Sequence, residues 1–208
     1  MEKQRMGLLN LLLKDPVAFT LIAIPLLYAI IFHELAHGWV AYRLGDSTAK
    51  SLGRLTLNPL KHLDPMGTLM LFIFGFGWAK PVPVNFSHLR DRRMGMILVS
   101  AAGIIANMLL AFAALFLTRL LSPAPSSMPA VLLYYFAQIN IILAAFNLIP
   151  LPPLDGSKIL LGIASPSIQN FLFRLERYGL FIIIALLYLG VLDPVIRFFQ
   201  WMILALIN

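Results

Sequence analysis

"AIIFHELAHGWVAY", residues 29–42, places two histidines and a glutamate inside a long apolar run. That run extends from about Val17 to about Leu44. At a helical rise of about 1.5 Å per residue it crosses a bilayer with tilt. Arg43 marks its water-facing edge, so His37 lies about 9 Å and His33 about 15 Å inside, by the same rise. A charged side chain at the centre of a span costs about 2.5–3.5 kcal/mol on insertion scales. Such residues need a partner or a wet cavity, and hydrogen bonding between helices is the plain alternative. The spacing points to more. HELAH fits H-E-x-x-H, in which positions i and i+4 share one helical face. His33 and His37 can then turn to one metal ion, with Glu34 beside it.

Composition supports a membrane setting. The 208 residues are 60% hydrophobic and 12% charged, against about 25% charge in a soluble domain. Mean hydropathy is +0.87. The net charge of +7 does not indicate a nucleic-acid partner, because the basic residues flank apolar spans, where they meet anionic headgroups. There is no cysteine, so a metal here must be held by histidine and carboxylate. Lys3 and Arg5 precede an apolar stretch, as in a signal peptide, but no small-x-small cleavage site precedes His33 and the segment reads as retained.

The rest of the chain reads as further spans. Residues 6–13 are too short to cross and suit an interfacial helix. A second span is expected at about Met94–Leu121 and a third at about Ala130–Ile149, joined by the uncharged turn SPAPSSMP. Residues 66–78 are apolar but short and glycine-rich, and PVPVN after them forces extended backbone. A hairpin or re-entrant element fits there, and such backbone survives at membrane depth only when covered by protein or lining a cavity. YGLFIIIALLYLGVL and VIRFFQWMILALIN close the chain as one or two spans. The expected fold is therefore an all-α polytopic membrane protein of about four to five transmembrane helices, with a short β or re-entrant element after the first span. Residues 45–93 with Arg43 carry eight of the basic residues, and the 122–129 turn carries none. The long connection is then cytoplasmic, although Lys3, Arg5 and Lys14 favour the opposite orientation.

Two ligands on one helix leave a catalytic zinc one short, since it takes three protein ligands and an open position. His62 and His88 fall in the long connection and read as interfacial loop residues. Asp155, in NLIPLPPLDGSK, is the carboxylate placed like the HELAH histidines. Pro150, Pro152 and Pro153 stop a helix there, Gly156 permits a turn, and spans one and three end on the same face. An ordinary loop aspartate is the alternative.

HELAH in the first span, GIIAN at 103–107 and NLIPLPPLDG at 147–156 resemble the site-2 protease family of intramembrane zinc metalloproteases. RLGDSTAKSLGRLTLNPLKHLDPMGTLML and FGWAKPVPVN are similar to its small prokaryotic members, and the resemblance covers about residues 20–165. It implies that His33, His37 and Asp155 bind one Zn2+, that Glu34 is the catalytic base, and that Asn147 contacts substrate. By the same motifs Pro150, Gly103 and Asn107 belong to the substrate side, with plain helix packing as the alternative for the last two. The middle motif of the family reads G-P-x-x-N, and Ile104 stands here in place of its proline. The expected layout is one protease domain over 1–208: an interfacial segment at 1–16, a catalytic core at 17–165 and C-terminal helices at 166–208. Its substrates would be membrane-embedded proteins, and its place the cell membrane, multi-pass, with the site near the cytoplasmic face. No peptide-binding or nucleotide-binding insertion is apparent, so substrate selection would fall to the bundle or a partner. Two rivals differ in class: a zinc transporter, which needs ligands on both sides of a path, and a non-catalytic binder of membrane segments, against which an intact Glu34 argues.

Overall fold

The computed structural model describes residues 8–75, 77–124 and 127–207, and within them the chain is helical. The expected interfacial helix is present as α1, Leu8–Lys14, with residues 1–7 outside the described part. The first span is α2, Pro16–Arg43. Asp15 caps it by accepting from the Ala18 amide, and Pro16 occupies the first turn, where no N–H is needed. The second long helix is α5, Arg92–Leu121, started by Asp91, which accepts from the amides of Arg93 and Met94. The third is α6, Met128–Asn147. These three are long and apolar enough to cross a membrane.

A fourth crossing arises only if α9, Gly179–Tyr188, and α10, Leu192–Ile207, act as one broken span, for they meet at a bend of 92°. Three or four crossings therefore stand where about four to five were expected. Smaller helices join them: α3, Thr48–Ser51, α4, Pro65–Phe74, α7, Asp155–Ile163, and α8, Pro166–Glu176. The core lies where α2, α5, α6 and α7 pack together, with Ile104, Ala111, Ile141, Ala144 and Ala145 buried between them. Alanine and glycine at these contacts let the helices approach closely. The outer face of α5 presents Leu109, Phe112, Phe116 and Leu120, as a lipid-facing surface should.

The connection after α2 is a hairpin rather than a strand pair. Asp64 caps α4 through the Gly67 amide, and Gly75 ends it in a left-handed conformation, φ 71°. The chain then returns against its own helix so closely that a Cβ on Gly67 would meet the Trp78 carbonyl oxygen at 2.1 Å. One isolated bridge, Leu63 to Ala79, closes the hairpin, and no strand forms among the described residues. The reason is local: Pro81 and Pro83 have no amide to give a ladder. His62 also differs from expectation. It is buried, with Nε2 on the Thr56 carbonyl at 2.8 Å, and its own carbonyl accepts from the Lys80 amide. At the end of α2, Trp39 and Tyr42 are exposed, with the Arg43 guanidinium 4.3 Å from the Trp39 ring centroid and Lys50 Nζ 4.3 Å from that of Tyr42.

Candidate active site

The histidines of α2 project between α5 and α7. His37 Nδ1 lies 2.7 Å from the Val99 carbonyl oxygen. A carbonyl only accepts, so Nδ1 carries the proton and Nε2 is left with its lone pair. His33 Nδ1 lies 2.5 Å from Asn107 Oδ1. Asn107 donates its amide to Asn140 Oδ1 at 2.7 Å and to the Ala29 carbonyl at 3.3 Å, which fixes its oxygen as the acceptor. His33 is thereby set in the same tautomer as His37.

Both Nε2 atoms face Asp155. They are 3.0 Å from each other and each is 3.0 Å from Asp155 Oδ2, and all three residues are buried. With both Nδ1 atoms donating, the neutral imidazoles have no proton to give that oxygen, and Oδ2 is a buried acceptor with no hydrogen-bond donor. Three converging lone-pair atoms in a triangle of 3.0 Å sides repel one another unless a cation sits among them. Two imidazole nitrogens and one carboxylate oxygen are the donor set that suits zinc, and His33, His37 and Asp155 would hold it. Among the described residues this is the one group of histidine and carboxylate ligand atoms so arranged.

The local backbone explains how Asp155 arrives there. Residues 148–154 are unwound, as the prolines require, but Asp155 itself opens α7 instead of sitting in the unwound stretch. Gly156 serves close approach rather than a turn: a Cβ there would lie 2.3 Å from the Leu148 carbonyl oxygen. The other carboxylate oxygen of Asp155 faces Lys158 Nζ at 3.7 Å.

Glu34 lines the same cavity as the triangle and accepts from the amide of Val82, in the extended residues 80–85, at 2.7 Å. That stretch, the strap, is tied at both ends. Arg54 donates to the Lys80 carbonyl at 2.9 Å, and the Asn85 amide donates to Asp46 Oδ2 at 2.7 Å. Asp46 is fully buried and also accepts from the Thr48 amide at 3.0 Å and from the Thr48 hydroxyl at 2.5 Å, with His88 Nδ1 at 3.1 Å. Burial pushes its carboxyl up, but these donors outweigh burial and hold it below the usual carboxylate range.

A cavity of about 580 Å³ lies between strap and helices, lined by Glu34, Ser100, Asn147, Asp155, Lys158 and Glu176 among others. Of the residues expected on the substrate side, Asn147 lines this cavity, its amide donating to the Leu143 carbonyl. Pro150 is exposed in the turn beyond α6 and does not line the cavity. Asn107 is fully buried with its amide committed to His33 and Asn140. Gly103 lies behind the imidazoles, where a Cβ would sit 2.5 Å from His37 Nε2 and 2.6 Å from His33 Cε1. Both belong to the support of the histidines. Asn140, Lys158, Ser100 and the strap anchors Asp46 and Arg54 were not foreseen. Only Asn140, an amide inside an apolar span, carried a sequence signal.

Comparison with known proteins agrees with this geometry. The model of peptidase family M50 matches residues 122–190. YwhC of Bacillus subtilis, named as a candidate zinc metalloprotease, is 43% identical over 172 residues, covering 79% of this chain and 78% of its own. The chain belongs to peptidase family M50. This is the site-2 protease family, as the sequence resemblance implied. Rip2 of Mycolicibacterium smegmatis, also a candidate zinc metalloprotease by name, is 30% identical over 81% of this chain and 67% of its own. The zinc metalloprotease MJ0392 of Methanocaldococcus jannaschii is 25% identical over 74% of this chain and 37% of its own. No solved structure matches significantly. As a member of family M50 the protein is a membrane metallopeptidase whose cofactor is zinc.

Proposed function

We propose that this zinc metallopeptidase cuts peptide bonds within membrane-embedded segments of other proteins, with His33, His37 and Asp155 as metal ligands and Glu34 as the catalytic base. The observation that carries the reading is the 3.0 Å triangle of two imidazole Nε2 atoms and one carboxylate oxygen, set within the apolar bundle. Zinc, when bound there, supplies Lewis acidity toward a carbonyl and lowers the pKa of a coordinated water. Glu34, beside the ligands on α2, takes a proton from water and passes it to the leaving amine. Lys158 holds the outer oxygen of Asp155, so that Oδ2 stays turned to the histidines. Asn147 contacts the substrate from the cavity wall, where its side chain lies.

Access favours an apolar, extended substrate. A second cavity of about 330 Å³, walled by α1, α2 and α4, adjoins the first and shares Ile30, Trp78, Ala79 and Leu143 with it. A membrane segment entering here must unwind, because an intact helix keeps its peptide bonds in its own ladder. The strap offers such a segment backbone partners by strand addition. In this reading residues 17–165 form the catalytic core and 166–208 close the bundle. The protein is multi-pass in the cell membrane. Arg43, Arg92, Arg93 and Lys158 surround the site end of the helices, while turn 122–129 has no charge, so the site belongs near the cytoplasmic face. A transport path would need further ligand groups along the bundle, and the described residues offer one.

The test is cleavage of single-span model substrates by purified protein in proteoliposomes. Glu34→Gln should keep about one zinc per chain and lose about 10²–10⁴ in rate, the usual worth of a general base. Undiminished cleavage by that variant would sink the assignment of the base.

A further inference from the structure

The strap is poor in backbone donors. Pro81 and Pro83 have none, so between Lys80 and Val84 only Val82 has an amide to offer. Each proline also holds the residue before it extended. That single amide is given to Glu34. The contact is presented by anchors that do not involve Glu34: the Lys80 amide bonds the His62 carbonyl, Arg54 bonds the Lys80 carbonyl, and the Asn85 amide bonds Asp46. Val82 itself is buried, seated where α2 has no side chain, for a Cβ on Gly38 would meet Val82 Cγ1 at 2.8 Å.

One N–H makes one well-aligned hydrogen bond. A peptide whose carbonyl pairs opposite Val82 needs the same donor. Pairing there and the bond to Glu34 exclude each other. We propose that the Val82 amide is a latch on the Glu34 carboxylate, opened when an extended substrate segment takes that amide. The proposal rests on the reading of Glu34 as the base. While the latch is closed, Oε2 is turned to the strap and one of its acceptor positions is filled. When a substrate carbonyl accepts from Val82 instead, Oε2 is freed to receive a proton from water. Val82 is then a positioning residue acting through Glu34, and the Oε2 position it fills is released when a peptide is in register.

Amide hydrogen exchange on the full-length protein in micelles tests this, since the 80–85 stretch has few amides to confuse the reading. Glu34→Ala should take up about one more deuteron in that stretch at early times, with α5 and α6 unchanged. Glu34→Gln keeps an acceptor oxygen and should stay protected. Should Glu34→Ala exchange faster throughout, as an unfolded protein would, Glu34→Asp replaces it, its shorter arm falling short of Val82. Adding N-acetyl-Leu-Val-Leu hydroxamate to the zinc-loaded alanine variant should restore protection. Equal uptake in wild type and variant overturns the latch, and no re-protection up to the solubility of the hydroxamate overturns its release by peptide. Failure of the proposed function shows separately, as absent zinc or absent cleavage in wild type, while the exchange comparison needs only Glu34 and Val82.

Discussion

The two walls of the cleft are built in opposite ways. On the helical wall, side chains far apart in sequence lock one another: His33 to Asn107, Asn107 to Asn140, His37 to the Val99 carbonyl. Each partner is buried and each has its hydrogen bonds assigned. On the strap wall, backbone is tied at single points by Arg54, Glu34 and Asp46. The first construction fixes atoms in place, as a metal centre needs. The second holds hydrogen-bonding groups that a partner strand can take over. In the proposed reading such a cleft keeps its charge-bearing side rigid and its peptide-facing side exchangeable.

Four substitutions test that contrast. Asp155→Asn removes the one anionic corner of the triangle, and zinc measured by elemental analysis should fall from about one per chain to near zero, with cleavage lost. Full zinc retention would undo the assignment of the helical wall. Gly103→Ala pushes a methyl group to within 2.5 Å of His37 Nε2 and 2.6 Å of His33 Cε1. The imidazoles must turn, and competition with a chromogenic chelator should show zinc affinity down by more than about tenfold. Asn107→Leu leaves His33 Nδ1 and the Asn140 amide oxygen without their partner. The expected loss is about 10–100-fold in metal affinity and about 1–3 kcal/mol in stability, read by the same competition and by denaturation.

The smallest effect belongs to the strap. Asp46→Asn should raise KM severalfold and leave kcat within about twofold, the cost of about 1 kcal/mol of lost anchoring. Its pH dependence has a definite sign. A carboxyl held low in the folded protein contributes stability that is complete above its unfolded pKa of about 3.9 and fades as pH falls through the lower folded value. Exchange protection of residues 80–88 should therefore be flat from pH 8 to about 5 and decline below about 4, and the asparagine variant should lack the step.

Much of the helical wall could be read from residues alone. The long spans end within two residues of expectation, because uninterrupted apolar runs bounded by Asp15, Asp91 and Ser127 leave the helix termini little freedom. His33, His37 and Asp155 were legible because apolar surroundings make polar groups conspicuous and the lack of cysteine narrows the donors. The supports were not. Asn107 lies 74 positions from His33 and Val99 lies 62 from His37, and no local pattern announces which helix will face which. The strap was legible as extended chain from its prolines, but its partner was not, since Glu34 reads as a site residue and gives no sign of bonding an amide 48 positions away.

The aromatic and basic pairs at the end of α2 carry one more implication. Trp39 with Arg43, and Tyr42 with Lys50, are the aromatic and basic pairs that suit a headgroup plane, and His37 sits about 9 Å from Arg43 along the axis. In the proposed function the ruler for scissile depth is thus a turn and a half of helix measured from the nearer leaflet. Longer acyl chains add thickness beyond the histidines and leave the burial of the cut bond as it was.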